Sequence, residues 1–201
     1  MLFSTFHPIY SMEDDTAEVK LLRQKNARKA KETAEQLFPG EQWNKVEDGI
    51  YLSPHRPTGK HSNHNDELKD ARILQSYGST VYLVPDDSRQ PGKKFDAIVN
   101  GSKFEFKNMH GKGISTLQEH FFSSRSQAPN VFINLEDSSL TKQQAITALY
   151  GARNNTERYA KKNRFTGGRI ILKIKGHKNL IYLDVDSLKV KKQKNPARGV
   201  G

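Results

Sequence analysis

Hydrophobic positions recur with two different periods along this chain, and the alternation between them predicts an α/β fold. Leu68, Ala71 and Leu74 repeat at helical spacing and give one buried helix face. Asn63 or Asn65 caps this predicted helix, and Gly78 ends it. Thr80 to Val84 (T-V-Y-L-V) then reads as a buried strand. In F-D-A-I-V-N-G-S-K-F-E-F-K, residues 95–107, the period shortens to two, with Ala97, Val99, Phe104 and Phe106 on one face. Asn100-Gly101 at its centre favours a two-residue type I′ turn, so the segment predicts a tight hairpin.

Further along, Ser115 and Gln118 form an expected capping box ahead of Leu117 and Phe121. Val131 to Leu135 is nearly continuous in apolar residues, the signature of a central strand. Thr141 and Gln144 make a second expected capping box, and Ile146, Leu149 and Tyr150 start a helical stripe. Gly167-Gly168 breaks the chain before Arg169–Lys175 and Leu180–Val185, which predict a closing hairpin. Upstream, one helix is expected from near Glu13 to Phe38, with Asp14 or Asp15 as its cap and Pro39-Gly40 as its stop. Its apolar stripe of Ala27, Ala30, Ala34 and Leu37 is narrow, which suits packing on a core domain or on a partner. The elements predict a mixed sheet flanked by helices with a helical N-terminal extension. Residues 1–60 read as extension and linker, 61–188 as the core, and 189–201 as a basic disordered tail.

The polar face of the hairpin changes the picture. A turn at Asn100-Gly101 sets Val99 against Ser102 and Asp96 directly against Glu105. A turn at Gly101-Ser102 sets Asp96 against Lys107 instead. Both registers leave Asp96, Glu105 and Lys107 on one face. Like charges facing each other destabilise a ladder, and a divalent cation between them removes the difficulty. Mg²⁺ takes oxygens from one or two carboxylates and completes its shell with water and phosphate. Lys107 would orient or deprotonate the attacking water, or neutralise developing charge.

Asp96, followed by Glu105-Phe106-Lys107, resembles the site of the PD-(D/E)xK nuclease superfamily. The family's proline is absent here, since Phe95 precedes Asp96. The order of helix, strand, strand with Asp96, and strand with Glu105 and Lys107 is also that of the superfamily core. The resemblance implies a metal-dependent phosphodiesterase with Asp96 and Glu105 as metal ligands and Lys107 as catalytic partner. It places Glu67, on the first core helix, beside the metal directly or through water, and gives Gln118 a place near the substrate. Mg²⁺ or Mn²⁺ is the expected metal ahead of Zn²⁺. From Asn65 to Leu188 the motif order is similar to that of C-terminal toxin domains of contact-dependent growth inhibition systems. That similarity implies tRNA as substrate, an acidic immunity protein as partner, and action in a bacterial cytoplasm after delivery within a secreted toxin.

Charge placement points the same way as the site. The net charge is +11 over 201 residues. Residues 151–201 hold 14 Lys and Arg against 3 Asp and Glu, so the whole excess lies in the last quarter. Arg153, Arg158, Lys161, Lys162 and Arg164, with Lys173 and Lys175, are therefore expected to hold a nucleic-acid backbone. Cysteine is absent, which excludes disulfides and thiolate metal sites. No apolar run reaches membrane-spanning length, and Met1 to Tyr10 lacks the pattern of a signal peptide.

Other readings use other residues. His55, His61 and His64 fall in a loop rich in Pro, Gly and His and lack a fourth metal ligand, so solvated or phosphate-contacting roles suit them better. Asp86 and Asp87 fit turn chemistry, and Asp184 and Asp186 fit strand ends. A metal-independent ribonuclease would draw on His110, His120 or His177. A DNA endonuclease of the same fold, or a basic module that binds without cleaving, completes the alternatives.

Overall fold

A single mixed sheet of eight strands runs through the protein in the order of the sequence. The computed structural model describes residues 16–57, 63–86, 94–111, 113–154 and 167–188. The strands are β1 (Asn44–Glu47), β2 (Ile50–Leu52), β3 (Val81–Leu83), β4 (Ala97–Val99), β5 (Ser102–Asn108), β6 (Asn130–Leu135), β7 (Arg169–Ile174) and β8 (Ile181–Asp184). The helices are α1 (Ala17–Leu37), α2 (His64–Ser76), α3 (Ile114–Arg125) and α4 (Lys142–Asn154), and a short 3-10 helix covers Val185–Leu188. Parallel pairs join β2 to β3, β5 to β6 and β6 to β7, with α2, α3 and α4 in the respective crossovers; the other neighbours are antiparallel. Thus β2, β3, β5, β6 and β7 point one way. In such sheets the carboxyl ends of the strands are where sites gather.

Alternation along β5 divides the core. Phe104 and Phe106 join Ala97, Val99, Phe132 and the α2 residues Ala71 and Leu74 on one face. On the other face, α3 and α4 cover Val131 and Ile133, and α1 covers Tyr82, Val84 and Ile98 through Ala30 and Ala34. Glu105 and Lys107 therefore lie on the face of α1 and α3, away from α2. The α2 stripe predicted from Leu68, Ala71 and Leu74 is the packed one, and Asn63 precedes the helix without making a side-chain cap bond.

Three expectations are corrected. The N-cap of α1 is Thr16, whose hydroxyl accepts the Val19 N–H at 3.3 Å; the aspartates expected there lie outside the described residues. The Ser115–Gln118 capping box does not form, because α3 starts at Ile114 after Gly113 and Ser115 already sits inside its first turn. The Thr141–Gln144 box does form, with reciprocal bonds of 2.9 and 3.2 Å ahead of α4. Lastly, the boundary expected at residue 60 does not divide the described structure. β2 pairs with β3, and α1 packs on β3 and β4, so residues 17–52 belong to the same sheet and core. Residues 189–201 lie outside the described residues.

Candidate metal centre

The hairpin turn has the backbone that Asn-Gly favours. Asn100 has φ 50° and Gly101 has φ 82°, both positive as a type I′ turn requires. Val99 pairs with Ser102 and Ala97 with Phe104, the first of the two registers, and Asp96 lies just ahead of β4 beside that ladder. The Asp96 N–H donates to the Phe104 carbonyl at 3.0 Å. Asp96 Oδ2 accepts the Phe106 N–H at 2.8 Å, so the carboxylate is aimed along β5.

Glu105 is only 3% exposed. Its Oε1 accepts from Lys107 Nζ at 2.6 Å and from Gln127 Nε2 at 2.9 Å. Its Oε2 is buried and has no hydrogen-bond partner among the described residues. Burial raises the Glu105 carboxyl to about 8, the charge of the neighbouring Asp96 adds to the rise, and Lys107 opposes both. Two carboxylates this close share a proton or hold a cation. The orphaned Oε2 beside the Asp96 carboxylate fits a small hard cation. Among the described residues no set of three or more His, Asp or Glu side chains is placed to hold a metal. Two protein ligands suit Mg²⁺ or Mn²⁺, which retain water, better than Zn²⁺ with its fuller protein shell.

Glu67 lies elsewhere in the arrangement. It leaves the first turn of α2, on the far face, and its Oε2 accepts from Arg56 Nε at 2.9 Å and Nη2 at 2.6 Å. The Arg56 side chain is 3% exposed. Its Nη1 donates to the carbonyls of Val84 and Asp96, the latter at 3.2 Å, and Nη2 stands 3.6 Å from Asp96 Oδ1. Burial raises the Glu67 carboxyl, against the pull of Arg56. The same guanidinium adds to the burial that holds His64 below the ordinary histidine range. His120, on α3, is lowered by burial and by Lys107, so a neutral imidazole stands near that amine at neutral pH.

The structure thus brings Asp96, Glu105 and Lys107 together and joins Glu67 to them through Arg56. It does not bring Gln118 to them: its amide donates to the Ala148 carbonyl at 3.0 Å, tying α3 to α4. The amide beside the carboxylate pair is Gln127, just past the end of α3. Lys173 lies on the α2 face, with Nζ donating to the His177 carbonyl at 3.0 Å and 3.9 Å from Glu136, and Lys175 is exposed beyond β7. The Arg153 side chain and residues Arg158, Lys161, Lys162 and Arg164 lie outside the described residues, as do His61 and Asp87. Asp86 pairs with Lys94 at 3.2 Å, and Asp184 with Arg169 at 3.9 Å. His110, His120 and His177 are spread over the loop after β5, α3 and the β7–β8 turn.

Arg56, Gln127 and a second buried group do not stand out in the sequence. Asp70 is fully buried and accepts from Asn108 Nδ2 at 2.7 Å and Asn134 Nδ2 at 2.8 Å. Burial raises its carboxyl to about 7 despite those two bonds. Arg56 has one local signal, its place between Pro54 and Pro57 in a stiffened loop. Gln127 has none.

No protein-family model matches the chain, and no curated protein matches it. Among solved structures it is similar to a chain of the CdiA-CT/CdiI toxin and immunity complex from Burkholderia pseudomallei. The identity is 20% and the TM-score 0.46, over 66% of this chain and 98% of that chain.

Proposed function

We propose that this protein is a metal-dependent endonuclease that cleaves phosphodiester bonds in nucleic acid, with tRNA as the preferred substrate and a toxin role in bacterial competition. The observation that carries this reading is the neighbouring pair Asp96 and Glu105, with Glu105 Oε2 buried and unpartnered among the described residues and Lys107 2.6 Å from Oε1. A carboxylate as buried as Glu105, set beside a second one, calls for compensating positive charge. Asp96 and Glu105 would hold Mg²⁺ or Mn²⁺, which when bound supplies Lewis-acid activation of the phosphoryl group. Lys107 orients the attacking water or offsets charge on the phosphate. Gln127 keeps Glu105 in place. The basic C-terminal quarter supplies affinity for the polyanion. An acidic immunity protein would match the same field.

The preference for tRNA and the toxin role rest on the similarity of motif order from Asn65 to Leu188. Incubation with total tRNA and with plasmid DNA, each with Mg²⁺, Mn²⁺ or EDTA, tests substrate and metal together. Metal-dependent loss of tRNA supports the reading. Cleavage of DNA alone keeps the site and changes the substrate. Equal cleavage in EDTA removes the metal centre and favours histidine chemistry.

A further inference from the structure

Three carboxylates and two cations meet around the start of β4, and their pairing is uneven. Lys107 serves Glu105. Arg56 serves both Glu67 and Asp96, and it is held from a third direction by two backbone carbonyls. Resting on the metal-centre reading above, we infer that the site takes a single divalent cation, at Asp96 and Glu105, and that the Arg56 guanidinium fills the position between Glu67 and Asp96 that a second cation would need. Glu67 is then the anchor of Arg56 and not a metal ligand.

The bonds explain why the guanidinium holds its place. Its planar fork donates from Nε and Nη2 to Glu67, and from Nη1 to the Val84 and Asp96 carbonyls, which uses its donors in fixed directions. A cation entering between Glu67 and Asp96 would have to expel a charge that is almost wholly buried. It would also strip the Val84 carbonyl of its side-chain donor, while the Asp96 carbonyl keeps the Val84 N–H at 3.1 Å. Breaking a buried, hydrogen-bonded pair is strongly unfavourable. Glu105 offers no such obstacle, because its Oε2 has no partner among the described residues to lose. The faces separate the two acids as well. Glu67 comes from α2 on one side of the sheet and Glu105 points to the other. Arg56 thereby positions Asp96 from its backbone and its side chain together.

Binding of Mn²⁺ to the full chain, read as the loss of the free-ion electron-spin-resonance signal, tests this without reference to cleavage. The wild type is expected to take up one equivalent. Asp96→Asn and Glu105→Gln should abolish that uptake. Glu67→Gln should keep one equivalent and lose about ten- to a hundredfold in affinity, as outer partners of a metal ligand do. Arg56→Met, with Glu67 left bare, should rise to two equivalents; if that variant does not fold, Glu67→Gln still decides. Two equivalents in the wild type, loss of the bound ion in Glu67→Gln, or a folded Arg56→Met that stays at one equivalent would each overturn the inference and leave the metal centre standing. No uptake by the wild type would overturn the metal centre itself, and the inference with it.

Discussion

Arg56 and Asp96 lie 40 positions apart in the chain, yet the Arg56 guanidinium reaches both the backbone carbonyl and the carboxylate of Asp96. The two residues meet because β2 ends beside β3 and β4 starts beside β3, so both arrive at one edge of the sheet. The loop carrying Arg56 is itself fixed there, with the Ser53 N–H donating to the Leu83 carbonyl at 3.0 Å. Glu41 holds that loop from outside through the Ser53 hydroxyl and His55 Nδ1, the latter at 3.0 Å. The contact with Asp96 is thus built from the segment that the sequence pattern sets apart as a linker.

Gly101→Ala should loosen the hairpin on which the pair depends. The residue has φ 82°, and an added Cβ would lie 2.6 Å from Lys29 Cγ and 3.1 Å from the Lys29 carbonyl on α1. The left-handed backbone alone costs about 1–2 kcal/mol for a non-glycine residue. The expected result in urea denaturation is a lower midpoint with an unchanged slope.

Two buried carboxyls make stability depend on pH. Asp70 is raised to about 7 and Glu105 to about 8. Between the ordinary carboxylate range and those values the folded protein keeps a proton that the unfolded chain has lost. Stability therefore falls as pH rises through that window and levels off above it. Denaturation in EDTA from pH 5 to pH 9 should show this decline. Glu105→Gln should flatten the part that extends to about pH 8, and should unfold no more easily than wild type at pH 9 while losing cleavage. Asp70→Asn should flatten the part that ends near pH 7; its slope is the readout, because the new amide must also re-pair with Asn108.

Two glutamines separate positioning from packing. Gln127→Ala removes a 2.9 Å bond to Glu105 and should lower metal-dependent cleavage about tenfold, the scale of an outer partner. Gln118→Ala removes a bond between α3 and α4 and should cost about 1 kcal/mol of stability with the rate unchanged. Rates at saturating Mg²⁺ and denaturation midpoints, measured on both variants, check the division.

The parts of the site that are legible in the sequence are those with a local rule. Asn100-Gly101 has one preferred turn, and the period of two then fixes which residues share a face with Asp96. The stripe of α2 follows from spacing in the same way. The flanking prolines mark the Arg56 loop but not its partners, which lie just after β3, just before β4 and on α2 and meet only once the sheet is built. β1 and β2 have four and three residues, too few to show alternation. Glu67 stands out by its position at the edge of a helix stripe, but its partner is out of reach of that pattern.

The basic C-terminal quarter should govern affinity and leave chemistry alone. Replacing Arg158, Lys161, Lys162 and Arg164 by Gln should weaken tRNA binding and flatten its salt dependence. Each phosphate neutralised by one of these side chains accounts for about 0.7–0.9 in the slope of log K against log salt, and the slope should fall by that amount per phosphate released. Titrations at several salt concentrations check the slope, and single-turnover rates at saturating protein check that the bond-breaking step is kept.

The most direct test is cleavage of end-labelled tRNA by wild type, Asp96→Asn, Glu105→Gln and Lys107→Met across a Mg²⁺ titration, with gel-shift binding measured beside it. The account predicts cleavage by wild type that rises with Mg²⁺ and vanishes in EDTA. All three variants should bind the RNA nearly as well and cut it at least about a hundredfold more slowly, the scale of removing one group that stabilises the transition state. Cleavage that survives both EDTA and Glu105→Gln would contradict it, and would make the facing carboxylates a structural feature of the hairpin.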